Sequence, residues 1–369
     1  MKRIAIITLH YPMNYGSVLQ AYALQNYINS KGIRCDIINY LMPYDYEKYK
    51  LFRVGYYKSR PQTFVSDIIF LGKNIKRKNK FNEFRNKYLS ITSKVYRNWN
   101  EMIPLNQSYD GFICGSDQIW NFDCTNGVDP AYFLKFADRN KVIAAYAPSM
   151  AQVEFNCTFE NEISSLINRF DYISVREKSS KNFIEKLTNK PVQIVCDPTM
   201  LLPVSRYRSI EILPHEKKGY VFVYLLEYNA QLIRYANQIS KEKNIPLIYI
   251  SNISIKAGKQ FSNGKGMYGI GPEEFLGYID ACEYLITNSF HATVFGILMH
   301  KRFITFKTTK SYPRLVDLLA RLKLEKRIYS EKNAIDDTID YNFVDKMLDE
   351  YIISSKGYLN KIVASILDQ

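Results

Sequence analysis

The residues that most often carry redox or metal chemistry are few in this sequence, and they stand apart. Six cysteines (Cys35, Cys114, Cys124, Cys157, Cys196 and Cys282) and four histidines are scattered over 369 residues, with no Cys-x-x-Cys pair. That spacing argues against a disulfide frame or a zinc site, and no cluster of ligand types calls for an obligatory metal. Most cysteines sit in apolar runs such as Phe112-Ile113-Cys114 and Ile194-Val195-Cys196, the pattern of reduced, buried thiols in a cytoplasmic protein. No apolar stretch reaches the roughly 18 residues that a membrane-crossing helix needs. Residues 4–9 are too short for the apolar core of a signal peptide and are bounded like a strand. Short internal repeats and low-complexity segments are lacking too, as is a G-x-G-x-x-G after the first strand, so a Rossmann dinucleotide site has no support.

Acids are in deficit, 36 against 50 basic residues, for a formal charge of +14. Zinc-finger spacing, an RNP-like aromatic signature and basic-region heptads are all missing, which leaves nucleic acid without a reader. The densest basic run is Lys73-Asn-Ile-Lys76-Arg77-Lys78-Asn-Lys80, continuing to Arg85 and Lys87. It reads as a solvated helix face or, with the aromatic and basic stretch 44–60, as a surface for an anionic bilayer at the inner face of the membrane.

What is present is a globular chain, 47% hydrophobic, with 30 Tyr and 21 Phe. Residues 4–8 form a buried strand, 17–30 a helix and 33–40 a second strand, the opening of a doubly wound α/β sheet. Residues 41–108 are less regular and read as a basic and aromatic insertion. The alternation resumes with strands at 111–114, 142–146, 172–175 and 192–196, and with helices at 160–170 and 179–187. A linker at 202–218 divides the chain. Strands at 221–226, 247–250, 284–287 and 303–306 then alternate with helices at 230–243, 272–282, 289–300 and 313–322, with a Gly- and Lys-rich loop at 256–271. Terminal helices fill 341–367. The expected architecture is two doubly wound Rossmann-like domains, 1–205 and 206–369, GT-B-like with a cleft between them.

Four stretches stand where strands end and helices begin, which is where such sheets hold ligands. The first is Asn14-Tyr15-Gly16-Ser17 with Gln20 one turn on, a helix start able to offer N–H groups to an anion, or simply a capped helix behind a Gly turn. The second is Gly115-Ser116-Asp117-Gln118-Ile119-Trp120-Asn121; turn chemistry explains Gly, Ser and Asp but not Gln118, Trp120 and Asn121 together. The third is Ser174-Val175-Arg176-Glu177, whose guanidinium suits a carboxylate or phosphate, or an ion pair with Glu177 or with the turn at Asp197. The fourth is Thr287-Asn288-Ser289-Phe290-His291-Ala292-Thr293, which puts an imidazole in the first turn of a helix as a base, a hydrogen-bond partner or a packing residue.

In their order along the chain these stretches, with Asp197-Pro-Thr199 and Gly271-Pro-Glu-Glu-Phe275, resemble the polysaccharide pyruvyl transferase family over about residues 4–310. The resemblance implies a GT-B-like fold and transfer of pyruvate from phosphoenolpyruvate to a sugar as a ketal, in capsule, exopolysaccharide or cell-wall polymer synthesis. It implies no cofactor beyond the donor, and a sugar acceptor that is lipid-linked or polymeric. His291 is then the expected acid/base. Arg176 and the Asn14–Ser17 turn hold anions, and Asp117, Gln118 and Trp120 orient or stack on sugar, with Ser116, Asn288 and Ser289 lining the site. The chain departs from the pattern at Ser289, where some members carry an Arg, so either Arg176, Lys307 or Arg314 supplies that cation or the donor is held in a different pose; Ala292 stands where Gly is frequent. Two other classes remain open: a nucleotide-sugar glycosyltransferase, and a non-catalytic polysaccharide-assembly protein.

Overall fold

The computed structural model describes residues 2–42, 50–59, 62–151, 159–215, 219–251, 260–309, 312–331, 335 and 338–368. The chain forms two compact units, one of Met1–Leu71, Arg85–Leu202 and Asp349–Gln369, the other of Gly72–Phe84 and Pro203–Leu348.

The first unit is built on six parallel strands in the order β2-β1-β3-β4-β5-β6: β1 Arg3–Ile7, β2 Arg34–Ile37, β3 Gly111–Asp117, β4 Val142–Pro148, β5 Tyr172–Val175 and β6 Val192–Ile194. Strands covered on both faces are apolar almost without interruption, and β3 and β4 are buried at every position. On one face Phe112, Trp120, Phe133, Phe136 and Phe170 form the core. The helix Tyr15–Asn29 is buried nearly all round. The end of the C-terminal helix Tyr341–Leu367 also belongs to this unit. Tyr27 donates to Asn360 at 3.0 Å, Cys196 N–H donates to Ser355 at 2.9 Å, and Ile366 fills the space beside Gly111.

The second unit holds five parallel strands, ordered β11-β10-β7-β8-β9: β7 Val221–Leu225, β8 Leu247–Ser251, β9 Lys265–Gly266, β10 Tyr284–Thr287 and β11 Arg302–Thr305. Val223, Leu232, Ala236, Ile286 and Phe306 lie in its core. Asn229 caps the helix Ala230–Lys243 by accepting from Leu232 N–H at 2.9 Å, and Asn244, at φ 52°, ends it.

Two doubly wound parallel sheets are thus what the strand and helix periodicities imply. The sequence division at 205/206 is crossed twice, by 72–84 going to the second unit and 349–369 to the first. The linker holds the helix Val204–Arg208, the described part of the Gly- and Lys-rich loop supplies edge strand β9, and the terminal helices are one. The basic run lies on the helix Leu71–Tyr88, where a solvated face describes only part of it. Lys80 pairs with Glu274, and the Lys73 ammonium stands 4.3 Å from the Tyr268 ring centroid, both within the second unit. No helix among the described residues is long and apolar enough to cross a membrane.

Gly115 marks the closest approach of β3 to β4. A Cβ there would lie 2.3 Å from the Tyr146 carbonyl oxygen, its register partner, and backbone cannot move aside cheaply. Gly115→Ala should cost about 1–3 kcal/mol, the usual range for overpacking. It should lower the urea midpoint of the first unit, whereas an unchanged midpoint would show that the strands have slack.

Candidate functional site

In an open parallel sheet, ligands bind beyond the C-terminal strand ends, where the winding direction reverses. In the first unit that point lies between β1 and β3, because the chain leaves β1 for β2 on one side and returns to β3 on the other. The stretches 14–20 and 115–121 flank it, and they meet: Ser17 Oγ donates to Asp117 Oδ2 at 2.5 Å. Asp117 adopts a left-handed φ of 67°, a conformation that aspartate tolerates better than most residues, and its C=O accepts from Ser149 N–H at 2.8 Å.

The contact belongs to a buried polar chain. Gln20 Nε2 donates to Thr8 Oγ1 and to the Ser17 carbonyl, each at 2.8 Å, and Thr8 Oγ1 donates to the Ser116 carbonyl at 3.2 Å. Gln20 Oε1 is buried with no hydrogen-bond partner among the described residues. Ser116 Oγ donates to the Ala147 carbonyl at 2.8 Å and accepts from Arg176 Nη2 at 2.5 Å. The same Nη2 lies 2.9 Å from Asp197, in an ion pair whose side chains are 2% and 0% exposed. Asp197 also accepts from Thr199 N–H at 2.9 Å. Next to Arg176, the buried Glu177 carboxylate accepts from Met150 N–H at 2.9 Å and Ala151 N–H at 3.0 Å.

These placements revise several expected roles. Asn14 Oδ1 caps the helix, accepting from Gly16 N–H at 2.9 Å and Ser17 N–H at 3.4 Å, so the turn does not offer those two donors to an anion. Tyr15 is 1% exposed. Arg176 is an internal ion-pair partner of Asp197, the second of the two roles open to it from sequence. Trp120 cannot stack on a sugar: it is wholly buried, parallel to Phe133 at 5.0 Å, edge-on to Phe170, and donates to the Tyr132 carbonyl at 3.2 Å. Gln118 is half-buried and accepts from Asn121 Nδ2 at 2.7 Å.

The second unit reverses its winding between β7 and β10, and the His-bearing stretch follows β10. Asn288 uses both ends of its amide as a clamp, Oδ1 accepting from Leu226 N–H at 2.8 Å and Nδ2 donating to the Glu227 carbonyl at 2.7 Å. Ser289 caps the helix Phe290–Leu298, accepting from Ala292 N–H at 3.3 Å. Both therefore act on backbone. His291 sits in the first turn, 6% exposed, with its ring perpendicular to Phe290 at 5.3 Å. The Arg314 guanidinium lies 5.2 Å from the same Phe290 ring, so one aromatic residue gathers the imidazole and a cation from 23 residues further along the chain. Lys307 stands over Tyr312 at 5.4 Å instead.

Sequence reading missed His10. It is buried beyond β1, with Nδ1 3.2 Å from the Thr8 carbonyl and Nε2 3.3 Å from Asn39 Oδ1. Its neighbours Tyr11, Pro12, Tyr40, Met42 and Tyr132 line a pocket with room for about one water molecule. Arg85 donates to the Tyr11 carbonyl at 2.9 Å. His10 alone was visible, as a histidine just past a strand; nothing local joins it to Arg85.

Two parallel sheets with their polar residues collected at the reversal points define a GT-B-like α/β protein. Solved structures of that fold resemble the chain at very low identity, which shows the fold alone. The UDP-GlcNAc 2-epimerase of Methanocaldococcus jannaschii has a TM-score of 0.51 at 13% identity, with 95% of this chain and 93% of that one covered. HepE of Anabaena, in complex with UDP and glucose, has 0.52 at 8%, with 99% and 100% covered. The polysaccharide pyruvyl transferase family matches residues 14–309, and the chain belongs to that family. No curated protein matches it.

Two outcomes test the scaffold of the first unit. Removing one member of a buried ion pair strands the other charge, so Asp197→Asn should cost about 3–5 kcal/mol in thermal or urea unfolding. A loss below about 1 kcal/mol would place Arg176 in solvent. Burial lowers the His10 pKa from 6.5 to about 4. The folded state therefore binds fewer protons than the unfolded chain between those values. The resulting stabilisation is complete above pH 6.5 and is lost as pH falls toward 4, about 3 kcal/mol in all. His10→Gln should flatten stability against pH over that window; an unchanged profile would refute the assignment.

Proposed function

We propose that this protein transfers pyruvate from phosphoenolpyruvate to a sugar as a ketal, in the synthesis of a bacterial capsule, exopolysaccharide or cell-wall polymer. The observation that carries the reading is the buried chain linking Gln20, Thr8, Ser116, Arg176 and Asp197, beside the Ser17–Asp117 contact, because it joins the separate family stretches of the first unit into one polar scaffold.

The reaction adds a proton to the methylene carbon of the enol phosphate, giving a cationic centre stabilised by oxygen. Two sugar hydroxyls attack that carbon, forming two C–O bonds, while the C–O bond to phosphate breaks. One hydroxyl proton balances the proton taken up by carbon, and the other leaves on phosphate. The protein must deliver a proton, neutralise donor charge and orient hydroxyls. His291 is the proposed acid/base. Arg314, beside it across Phe290, is the proposed replacement for the family arginine at position 289. Asp117 is the proposed hydroxyl-orienting carboxylate, set at its angle by Ser17. Arg176 positions Ser116 and Asp117 without touching donor. No cofactor enters this reading; the donor carries its own leaving group. The acceptor is a lipid-linked or polymeric sugar.

Ligand-dependent melting and steady-state transfer test the proposal together. Phosphoenolpyruvate at about 100 times its Kd adds about 2.7 kcal/mol of stability, and Arg314→Gln should diminish that shift. UDP- and GDP-sugars should give none. His291→Ala should lower kcat/KM more than tenfold, about 1.4 kcal/mol of transition-state stabilisation, with an unchanged melting temperature. Stabilisation by a nucleotide sugar alone would promote a glycosyltransferase. Acceptor binding without turnover would promote an assembly protein.

A further inference from the structure

On the helix Gln62–Ile69 in the first unit, the acid lies inward and the described apolar side chains face water. Its acid, Asp67, is turned inward and is 1% exposed. Arg53 holds it there, donating its backbone N–H at 3.0 Å, Nε at 2.9 Å and Nη2 as well, and Tyr57 Oη donates at 3.1 Å. With the acid fixed inward, Phe64, Val65, Ile68 and Ile69 turn outward, 48%, 55%, 51% and 57% exposed. Val54, 65% exposed, precedes them in the same unit. Large apolar side chains side by side on a folded surface mark an interaction face, whereas single exposed ones do not.

The charge of the flanking sequence selects its occupant. Before the helix the sequence carries Lys48, Lys50, Lys58 and Arg60, and after it Lys73, Lys76, Arg77 and Lys78; the acid among residues 48–80 is Asp67, already paired with Arg53. A second copy of the chain would bring these cations against one another across a twofold axis. An apolar helix side flanked in sequence by Lys and Arg instead matches an interfacial helix, whose apolar side enters the acyl boundary while cations meet anionic head groups. We propose that the helix Gln62–Ile69 seats this protein on an anionic lipid bilayer, with Phe64, Val65, Ile68 and Ile69 at the head-group boundary. The surface stands apart from the pyruvyl transfer reading, although a lipid-linked acceptor would be met at such a membrane.

Co-sedimentation of the full chain with vesicles tests this. Phosphatidylcholine vesicles would be compared with vesicles containing about 30% phosphatidylglycerol, at about 50 and 500 mM salt. The protein should pellet with anionic vesicles at low salt, and at least tenfold less with neutral vesicles or at high salt. The triple variant V65S/I68S/I69S should lose at least tenfold in binding, with its melting temperature and its turnover of a water-soluble acceptor unchanged. K58E/K76E should weaken binding as well, and decides the matter if the triple variant melts early. Wild-type protein left in the supernatant, equal pelleting with neutral vesicles, or variants that bind like wild type would overturn the proposal. So would a solution dimer that the triple variant abolishes. Vesicle binding and pyruvyl transfer are read separately, so either can fail without the other.

Discussion

A guanidinium shut away from water must be paired, and in the first unit the Arg176–Asp197 contact meets that demand. The pair fastens the ends of β5 and β6 to each other. Through Nη2, Arg176 also fixes Ser116, whose hydroxyl reaches the end of β4 and whose carbonyl receives Thr8 beyond β1. Asp117 is the next residue, and its carboxylate is positioned as a consequence of where Ser116 is held. The arrangement is expensive to bury and specific in geometry, as a polar scaffold under a binding surface needs to be.

In the second unit, side-chain hydrogen bonds to backbone tie the strand ends. Asn288 ties the end of β10 to the loop after β7 through its amide, and Thr287 donates to the Tyr224 carbonyl at 2.7 Å. His291 and Arg314, both buried, meet at the Phe290 ring. In each unit the residues nearest the strand ends chiefly hold backbone. The side chains proposed for chemistry lie just beyond them, Asp117 one position after Ser116 and His291 two positions after the cap Ser289.

The strands were legible because parallel sheets covered on both faces write themselves as apolar runs, and β3 and β10 end on polar residues, Asp117 and Thr287. Roles within the stretches were less so. Trp120 beside polar residues looks like a sugar platform in one dimension, but its ring is stacked on Phe133, thirteen positions on. Asn14 was identifiable as a capping residue type, though not which N–H groups it would take. Arg176 was left between ligand and ion pair, since the partner, Asp197, lies across a whole helix and strand. His10 and Arg85 escaped because burial, not spacing, gives them meaning, and Arg85 sat inside a run read for its charge. Local pattern reports which residues end strands; only the fold reports what they face.

The ordered polar scaffold at the strand ends is proposed to serve transfer of pyruvate from phosphoenolpyruvate to a sugar as a ketal. Phosphorus and proton NMR of one reaction mixture tests it most directly, with protein, phosphoenolpyruvate, UDP-glucose and a bacterial polysaccharide acceptor all present. The account predicts that phosphoenolpyruvate is converted to inorganic phosphate only when acceptor is present, that a new ketal methyl resonance appears on the glycan, and that UDP-glucose persists. Intact phosphoenolpyruvate alongside released UDP would contradict it.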